Sequence, residues 1–97
     1  MKLIWTRKAS ADRDTIYDYI EAHNSRAALE LDEQFAHRAA QLLAHPLIGR
    51  PGRVQGTREL IVRTNYVLVY DISGETLRIL RVLHTAQQWP KPSSQDA

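Results

Sequence analysis

The sequence predicts an α+β fold, in the order β-α-α-β-β-β, with a helical hairpin packed on one face of an antiparallel sheet. Two observations predict this fold. Apolar residues recur at three- and four-residue steps through the first half of the chain, whereas after residue 57 they alternate or form short β-rich runs. With 97 residues, the chain can build one modest core and no second lobe. We therefore expect a single domain over residues 1–90 and a polar, disordered tail over residues 91–97.

The first half contains a short strand and two helices. Residues 2–6 alternate weakly as a strand, and a first helix from about Arg7 to His23 carries apolar residues at helical spacing, with acidic side chains, Asp12 among them, on its wet side. Asn24 and Ser25 break the chain and cap a second helix. That helix, from about Ser25 to Ala44, has one apolar stripe, formed by Ala28, Leu31, Phe35, Ala39 and Leu42.

The second half reads as a loop followed by three strands. Pro46 ends the second helix, and residues 46–56 form a loop rich in proline and glycine. Strands are predicted over residues 58–63, 66–72 and 76–84, with the short connections of a meander between them. In the last strand, alternation places Arg78 and His84 on one face with Leu80 and Val82, and Arg81 on the other.

Composition excludes several classes of protein. No apolar run approaches the roughly 20 residues of a spanning helix, and the N-terminus lacks the apolar core of a secretory signal. There is no cysteine, which argues against an oxidising compartment, a thiolate metal site or a cysteine nucleophile. We expect a cytoplasmic protein with no membrane partner.

Positive charge is concentrated in one segment. Residues 1–45 hold six basic and seven acidic residues, whereas residues 46–97 hold seven and four. Between Gly49 and Arg63 the chain has the four arginines Arg50, Arg53, Arg58 and Arg63 and a single acid, Glu59. A guanidinium suits two-point contact with phosphate or carboxylate, so this segment is a candidate surface for an acidic partner.

Other candidate groups have ordinary structural alternatives. The imidazole of His84 is a side chain type that can act as an acid or base near neutral pH, or the residue could end its strand and pack against Trp89 or a tyrosine. Glu59 could be a general base, but a strand carboxylate more often pairs with a nearby arginine. Tyr66 and Tyr70 would stack on RNA bases if exposed, but their alternating positions with Leu68 fit the core better. The remaining histidines converge with no other ligands, so neither a metal nor a cofactor is expected.

Several short motifs, taken in order, carry a family resemblance. They are Ile4-Trp5-Thr6 followed by Ala9 and Asp12, Ile16 with Tyr19-Ile20, His45-Pro46 through Gly49-Arg50-Pro51-Gly52, Gly56 to Leu60, Tyr66 and Tyr70, Ile79 to His84, and Trp89-Pro90. Together they resemble the RelE/ParE superfamily of bacterial type II toxins, small proteins held inactive by a co-expressed antitoxin. The resemblance covers nearly the whole of residues 1–90.

The superfamily implies two different activities. RelE-like members cut messenger RNA in the ribosomal A site, whereas ParE-like members lack this activity and inhibit DNA gyrase. RelE-like enzymes commonly have a basic residue just before Leu-Val-Tyr in the middle strand, where this chain has Val67, and the chain has no lysine between Lys8 and Lys91. The resemblance is therefore closer to the ParE branch and implies a gyrase inhibitor that catalyses no reaction.

Two alternatives stay open. A RelE-like ribosome-dependent endoribonuclease would use His84 as acid or base, with Arg81 and Arg58 binding phosphate from what we expect to be neighbouring strands. An inactive relative would survive as a binding module or co-repressor.

The resemblance also implies the partners. A cognate antitoxin should wrap the groove between helices and sheet with acidic side chains near the arginines, and operator DNA should be reached only through that antitoxin. The residues expected to bind the target or the antitoxin are Arg50, Arg53, Arg58, Arg63, Arg81, His84 and Trp89.

Overall fold

The computed structural model describes residues 1–90, which form a five-stranded sheet with two helices on one face. The elements are β1 (Lys2–Trp5), α1 (Arg7–Glu21), α2 (Ser25–Ala44), β2 (Arg50–Pro51), β3 (Arg58–Val62), β4 (Tyr66–Ser73) and β5 (Thr76–His84). The predicted α+β class and the helical hairpin on a sheet are confirmed. The two-residue strand β2 lies inside the segment predicted to be a loop. The predicted tail, residues 91–97, lies outside the described residues.

The sheet is mixed, where a wholly antiparallel one was expected. Its strand order is β1-β5-β4-β3-β2, and every neighbouring pair is antiparallel except β1 with β5. Parallel neighbours need a long crossover, and the segment between β1 and the other strands contains the whole helical hairpin. That crossover lets the first strand of the chain lie parallel to the last.

Side-chain caps fix the start of both helices. Thr6 Oγ1 accepts from the Ala9 N–H at 3.1 Å, and Asn24 Oδ1 accepts from the Ala27 N–H at 3.0 Å. Asn24 must be extended to cap α2, with φ at −161°, so α1 ends at Glu21, two residues earlier than predicted. Arg13 of α1 joins the helices through a two-point ion pair with Asp32 of α2.

The sheet carries apolar clusters on both faces. The larger one lies under the helices and includes Phe35, Leu42, Leu68 and Tyr70. The opposite face, which we call the back face, has a small cluster of Val67, Val69 and Leu83, packed against Leu80 and Trp89. Alternation along β4 produces this division, because successive side chains point to opposite faces. The back face is therefore a second surface with buried apolar residues, without a helix over it.

A bulge in β5 changes which side chains share a face. Val69 pairs with Arg81 and Tyr70 with Ile79, so Leu80 has no partner in the ladder. As a result Leu80 packs with the back-face cluster while Val82 packs under the helices. The prediction that these two residues share one face with Arg78 and His84 is wrong, because simple alternation does not hold across a bulge.

The other strand ends differ from prediction by one residue. β3 ends at Val62, because Arg63 adopts a positive φ of 54° in the turn to β4, and β4 continues to Ser73. No helix in the described part of the chain combines the length and apolar character needed to cross a bilayer.

Candidate functional site

A loop at one edge of the sheet carries two of the predicted arginines, and a buried tyrosine holds it in place. We call residues 46–57 the arginine loop. The hydroxyl of Tyr70, which is fully buried, accepts from the Gly49 N–H at 3.0 Å and donates to the Pro46 carbonyl at 2.7 Å. Burial raises the pKa of Tyr70, so the hydroxyl keeps the proton that it donates. A Cβ on Gly49 would lie 2.6 Å from that hydroxyl oxygen, which explains glycine at this position.

Arg58 stabilises the same loop from β3. Its Nη1 donates to the Gly49 carbonyl at 2.7 Å and to the Leu47 carbonyl at 3.3 Å. Both carbonyls belong to the part of the loop that precedes β2. The guanidinium therefore ties that part of the loop to β3. The role that the structure gives Arg58 is therefore to position the arginine loop.

Glu59 is the buried carboxylate around which the rest of the loop is arranged. Its side chain is 1% exposed. Oε2 accepts from the backbone N–H of Arg53 at 3.0 Å and from its Nε at 3.1 Å, and Oε1 accepts from Nη2 of Arg50 at 3.4 Å. Burial of Glu59 opposes ionisation, but these donors outweigh it and lower the pKa of the carboxyl. Pairing with nearby arginines, the structural alternative predicted for Glu59, is confirmed.

The two arginines retain free binding capacity. Their side chains are 59% exposed for Arg50 and 41% exposed for Arg53, and they share the single charge of Glu59. Beside them a cavity of about 260 Å³ opens on the back face, lined by Arg50, Pro51, Gly52, Arg53, Glu59, Val67 and Thr85. An anionic group, either carboxylate or phosphate, could bind the exposed guanidinium N–H groups at this point.

Arg81 lies at the other edge of the sheet and is already paired. Its Nε and Nη2 donate to the two carboxylate oxygens of Asp12 at 2.7 and 3.0 Å, and the Val82 N–H donates to the same carboxylate at 2.9 Å. These hydrogen bonds to Asp12 raise the pKa of Arg81 further above its ordinary value. The guanidinium also lies over the ring of Trp89, 5.3 Å from its centroid. Asp12 occupies the Nε and Nη2 donors of Arg81 and offsets its charge, so a phosphate could bind those two donors only if Arg81 first left Asp12.

His84 ends β5 and packs against a tyrosine. Its ring meets the ring of Tyr66 edge to face at 5.2 Å, and its Nδ1 accepts from the Ala86 N–H at 3.1 Å. Because Nδ1 accepts, the neutral ring carries its proton on Nε2. His84 is exposed. This packing is the structural alternative predicted for the residue.

The groups proposed for RNA cleavage are not brought together. Arg58 pairs with Tyr70 and His84 pairs with Tyr66, so the two lie about 13 Å apart along β4 and on opposite sides of it. The expectation that Arg58 and Arg81 occupy neighbouring strands is wrong, because β4 lies between β3 and β5.

Arg63 is also separate from the loop arginines. It lies in the β3–β4 turn and lines a different cavity with Ile20, Ala27, Leu31, Asn65 and Tyr66. Among residues 1–90, no three histidine, aspartate or glutamate side chains form a group that could hold a metal ion.

Sequence reasoning missed two residues that organise these sites. The alternation in β4 predicts a core position for Tyr70, or base stacking if it were exposed, and it predicts no role for the hydroxyl. The helical pattern predicts that Asp12 lies on the solvent side of α1, yet it pairs with Arg81, 69 positions along the chain. The signal available for both was their presence in the motifs of the family resemblance.

Comparison with known proteins identifies a family model. The model described as the ParE toxin of the type II toxin–antitoxin system parDE matches residues 3–89. Y4kP, a candidate toxin of Sinorhizobium fredii, is 36% identical over 91 residues, which cover 93% of this chain and 94% of that protein. The toxin RelE2 of Caulobacter vibrioides is 31% identical over 86 residues, 89% of this chain and 97% of that protein.

Solved structures give the same fold. A chain of the chromosomal ParDE toxin–antitoxin system of Pseudomonas aeruginosa is similar with a TM-score of 0.79 and 32% identity, covering 87% of this chain and 95% of that one. YafQ of Escherichia coli is similar with a TM-score of 0.64 and 16% identity, covering 88% and 93%. The second likeness extends to the fold alone.

Proposed function

The chain belongs to the ParE toxin family of type II toxin–antitoxin systems, and from that premise we propose that it inhibits DNA gyrase and is neutralised by a cognate antitoxin. In this proposal it acts as a stoichiometric ligand, catalyses no reaction and needs no cofactor. Replication stops because gyrase is bound, and operator DNA is reached only through the antitoxin.

The observation that carries the proposal is the arrangement of the arginines. Cleavage of RNA through its own 2′-OH needs an acid, a base and cations held around one phosphate. Here Arg58 is bound to loop carbonyls, Arg81 is bound to Asp12, and His84 lies about 13 Å from Arg58 along β4. This arrangement favours a binding protein over a nuclease.

The arginine loop supplies the proposed contact with gyrase. Arg50 and Arg53 are exposed, share one carboxylate and therefore present net positive charge. Glu59, Tyr70 and Arg58 tie the backbone of the loop to the sheet through hydrogen bonds, which restrict its motion before binding. A preorganised pair of guanidinium groups loses little entropy when it binds an acidic surface.

RelE-like cleavage of messenger RNA on the ribosome remains the second candidate. The specific observation in its favour is the 31% identity to a relative named RelE2, together with an exposed histidine at the end of β5.

Two assays run in parallel test the proposal. Purified protein is added to gyrase acting on relaxed plasmid, and to programmed ribosomes carrying labelled messenger RNA. We expect supercoiling to be lost, or cleaved DNA to be trapped, while the RNA stays intact. RNA cut only on ribosomes, with normal supercoiling, would overturn the proposal in favour of the nuclease. Normal growth on induction, with both assays negative, would indicate an inactive binding module.

A further inference from the structure

An apolar cavity lies at the edge of the sheet opposite the arginine loop. It occurs where β5 runs past the end of β1, since Trp5 pairs with Ile79 and β5 continues to His84. The cavity has a volume of about 340 Å³ and an almost entirely apolar wall, and it is lined by Thr6, Arg7, Lys8, Leu80, Arg81 and Trp89. We call these six residues the Trp89 corner. The space suits a leucine or aromatic side chain.

The backbone of β5 at this corner is closed to an added strand. The Leu80 carbonyl accepts from Thr6 Oγ1 at 3.0 Å, the Val82 N–H donates to Asp12 at 2.9 Å, and the His84 N–H donates to Gln87 at 2.7 Å. An incoming strand would have to displace these side chains to form a ladder. Recognition here must therefore use side chains and the cavity, and not extension of the sheet.

The rim of the cavity is positively charged. Arg7 and Lys8 are exposed in the first turn of α1, which holds no acidic residue. The start of a helix carries partial positive charge, so two cations there are locally unfavourable. Neither forms an ion pair with another residue in the range 1–90. A local rule broken in this way is typical of a functional surface.

The indole of Trp89, which lines the same corner, has a hydrogen-bond donor that is unsatisfied among residues 1–90. Its Nε1–H is buried and has no partner within the described residues. Buried donors are nearly always satisfied, so this one requires an explanation. The donor has no contact with solvent, so an oxygen from a bound partner would supply the missing acceptor only after the ring moves.

A single type of ligand would satisfy the apolar cavity, the positively charged rim and the unsatisfied indole donor. We propose that the Trp89 corner binds an acidic segment of the cognate antitoxin, with a bulky apolar side chain in the cavity and carboxylates against Arg7 and Lys8. Arg81 contributes the methylene groups of its side chain and its contact with the Trp89 ring, while its charge stays paired with Asp12. The inference rests only on the toxin–antitoxin part of the proposed function, and not on the identity of the toxin's target.

The first test is a charge reversal with a matched control. The Arg7→Glu/Lys8→Glu variant is compared with Lys2→Glu/Arg26→Glu, which changes the same charge at exposed sites away from the cavity. Affinity for the purified cognate antitoxin is measured by calorimetry. We expect the corner variant to bind about 100-fold more weakly, since like charges across an interface are costly, and the control to change by less than about threefold.

The same variant separates binding from folding. Acidic residues in the first turn of a helix are stabilising, so Arg7→Glu/Lys8→Glu should unfold at the same temperature as the original chain or higher. Weaker antitoxin binding by a protein of equal or greater stability supports a docking role.

A second test follows the Trp89 indole by nuclear magnetic resonance and leaves the charges of the corner unchanged. The Trp89 indole N–H signal is assigned by its loss in Trp89→Phe, with the Trp5 indole as internal reference. On addition of the antitoxin the Trp89 signal should shift and its hydrogen exchange should slow. An unmoved Trp89 signal in a formed complex, with equal affinity for the corner variant, would overturn the inference.

Gyrase supercoiling measured on the same variants distinguishes the two proposals. If the corner variant binds antitoxin normally and loses inhibition of gyrase, the corner belongs to the target and the inference is wrong. If the unsubstituted chain leaves supercoiling intact but binds antitoxin through the corner, the gyrase proposal fails and this inference stands.

Discussion

The arginine loop and the Trp89 corner lie at opposite edges of one sheet and use positive charge in different ways. In the loop, two exposed arginines share the buried carboxylate of Glu59, so charge remains for a partner. In the corner, Arg81 donates through Nε and Nη2 to Asp12, which offsets its charge, and the remaining charge comes from Arg7 and Lys8. Whether an arginine here can bind an anion therefore depends on how fully a neighbouring carboxylate offsets its charge, and not on the number of arginines.

Removing the carboxylate should have the largest effect on the loop. Glu59→Ala deletes a buried acceptor of three hydrogen bonds from two arginines, and we expect a loss of about 3 kcal/mol in the free energy of unfolding. Urea unfolding measures it. Glu75→Ala, at a side chain that is 93% exposed, should cost less than about 0.5 kcal/mol. Equal costs for the two variants would contradict a special role for Glu59.

Removal of the Tyr70 hydroxyl should have the next largest effect on stability. Tyr70→Phe leaves the Gly49 N–H and the Pro46 carbonyl without their partner, which should cost about 2 kcal/mol. Tyr66→Phe is the matched control, because Tyr66 contacts Phe35 and His84 through its ring, which phenylalanine retains. Thermal unfolding of the pair should show a clear drop for Tyr70→Phe alone. A similar drop in both variants would mean that the hydroxyl of Tyr70 does not hold the loop.

A third variant neutralises Asp12, the carboxylate that pairs with Arg81 of the Trp89 corner. Asp12→Asn keeps the shape of the side chain but removes its charge from a partly exposed pair, so we expect a loss of about 1 to 2 kcal/mol. The exposed Asp14→Asn should be close to neutral. In addition, Arg81 released from Asp12 should make the corner more cationic and tighten binding of the antitoxin. Unchanged stability in Asp12→Asn would remove the contrast between the two edges.

Titration of Glu59 should give the smallest effect. The pKa of Glu59 in the folded chain is lower than the ordinary carboxyl value of 4.5, so its contribution to stability is fully present only well above pH 4.5. The contribution disappears as the pH falls through the folded value. The stability difference between the original chain and Glu59→Gln should therefore be constant from pH 7 to about pH 5 and shrink below it. A difference that persists unchanged to pH 2 would show that ionisation is not what holds the loop.

The regular elements were predictable because their signals are local. The apolar stripe of α2 and the β-rich run of β5 gave the observed bounds of both elements, since each repeats one pattern over many residues. β2 was missed because a two-residue strand containing Pro51 carries no periodicity. The bulge at Leu80 was missed because apolar residues occur on both sides of it, so the sequence shows no break.

The sites were less predictable because they depend on contacts distant in the chain. The arginines were identified by type, and Glu59 was correctly assigned to pair with them. No local pattern in the sequence indicates that Asp12 pairs with Arg81, or that the Tyr70 hydroxyl forms hydrogen bonds with the arginine loop across β3. The predicted set of binding residues is therefore divided. Arg50 and Arg53 lie at one edge of the sheet, Arg81 and Trp89 at the other, and Arg63 in the β3–β4 turn.

The central claim is that the arginine loop, and not the His84 end of β5, contacts the target. The most direct measurement is gyrase supercoiling with two variants, Arg50→Glu/Arg53→Glu and His84→Gln, each checked for folding. The account predicts that the loop variant loses inhibition while His84→Gln inhibits as strongly as the original chain. Full inhibition by the loop variant, or cleavage of ribosome-bound RNA that His84→Gln abolishes, would contradict it.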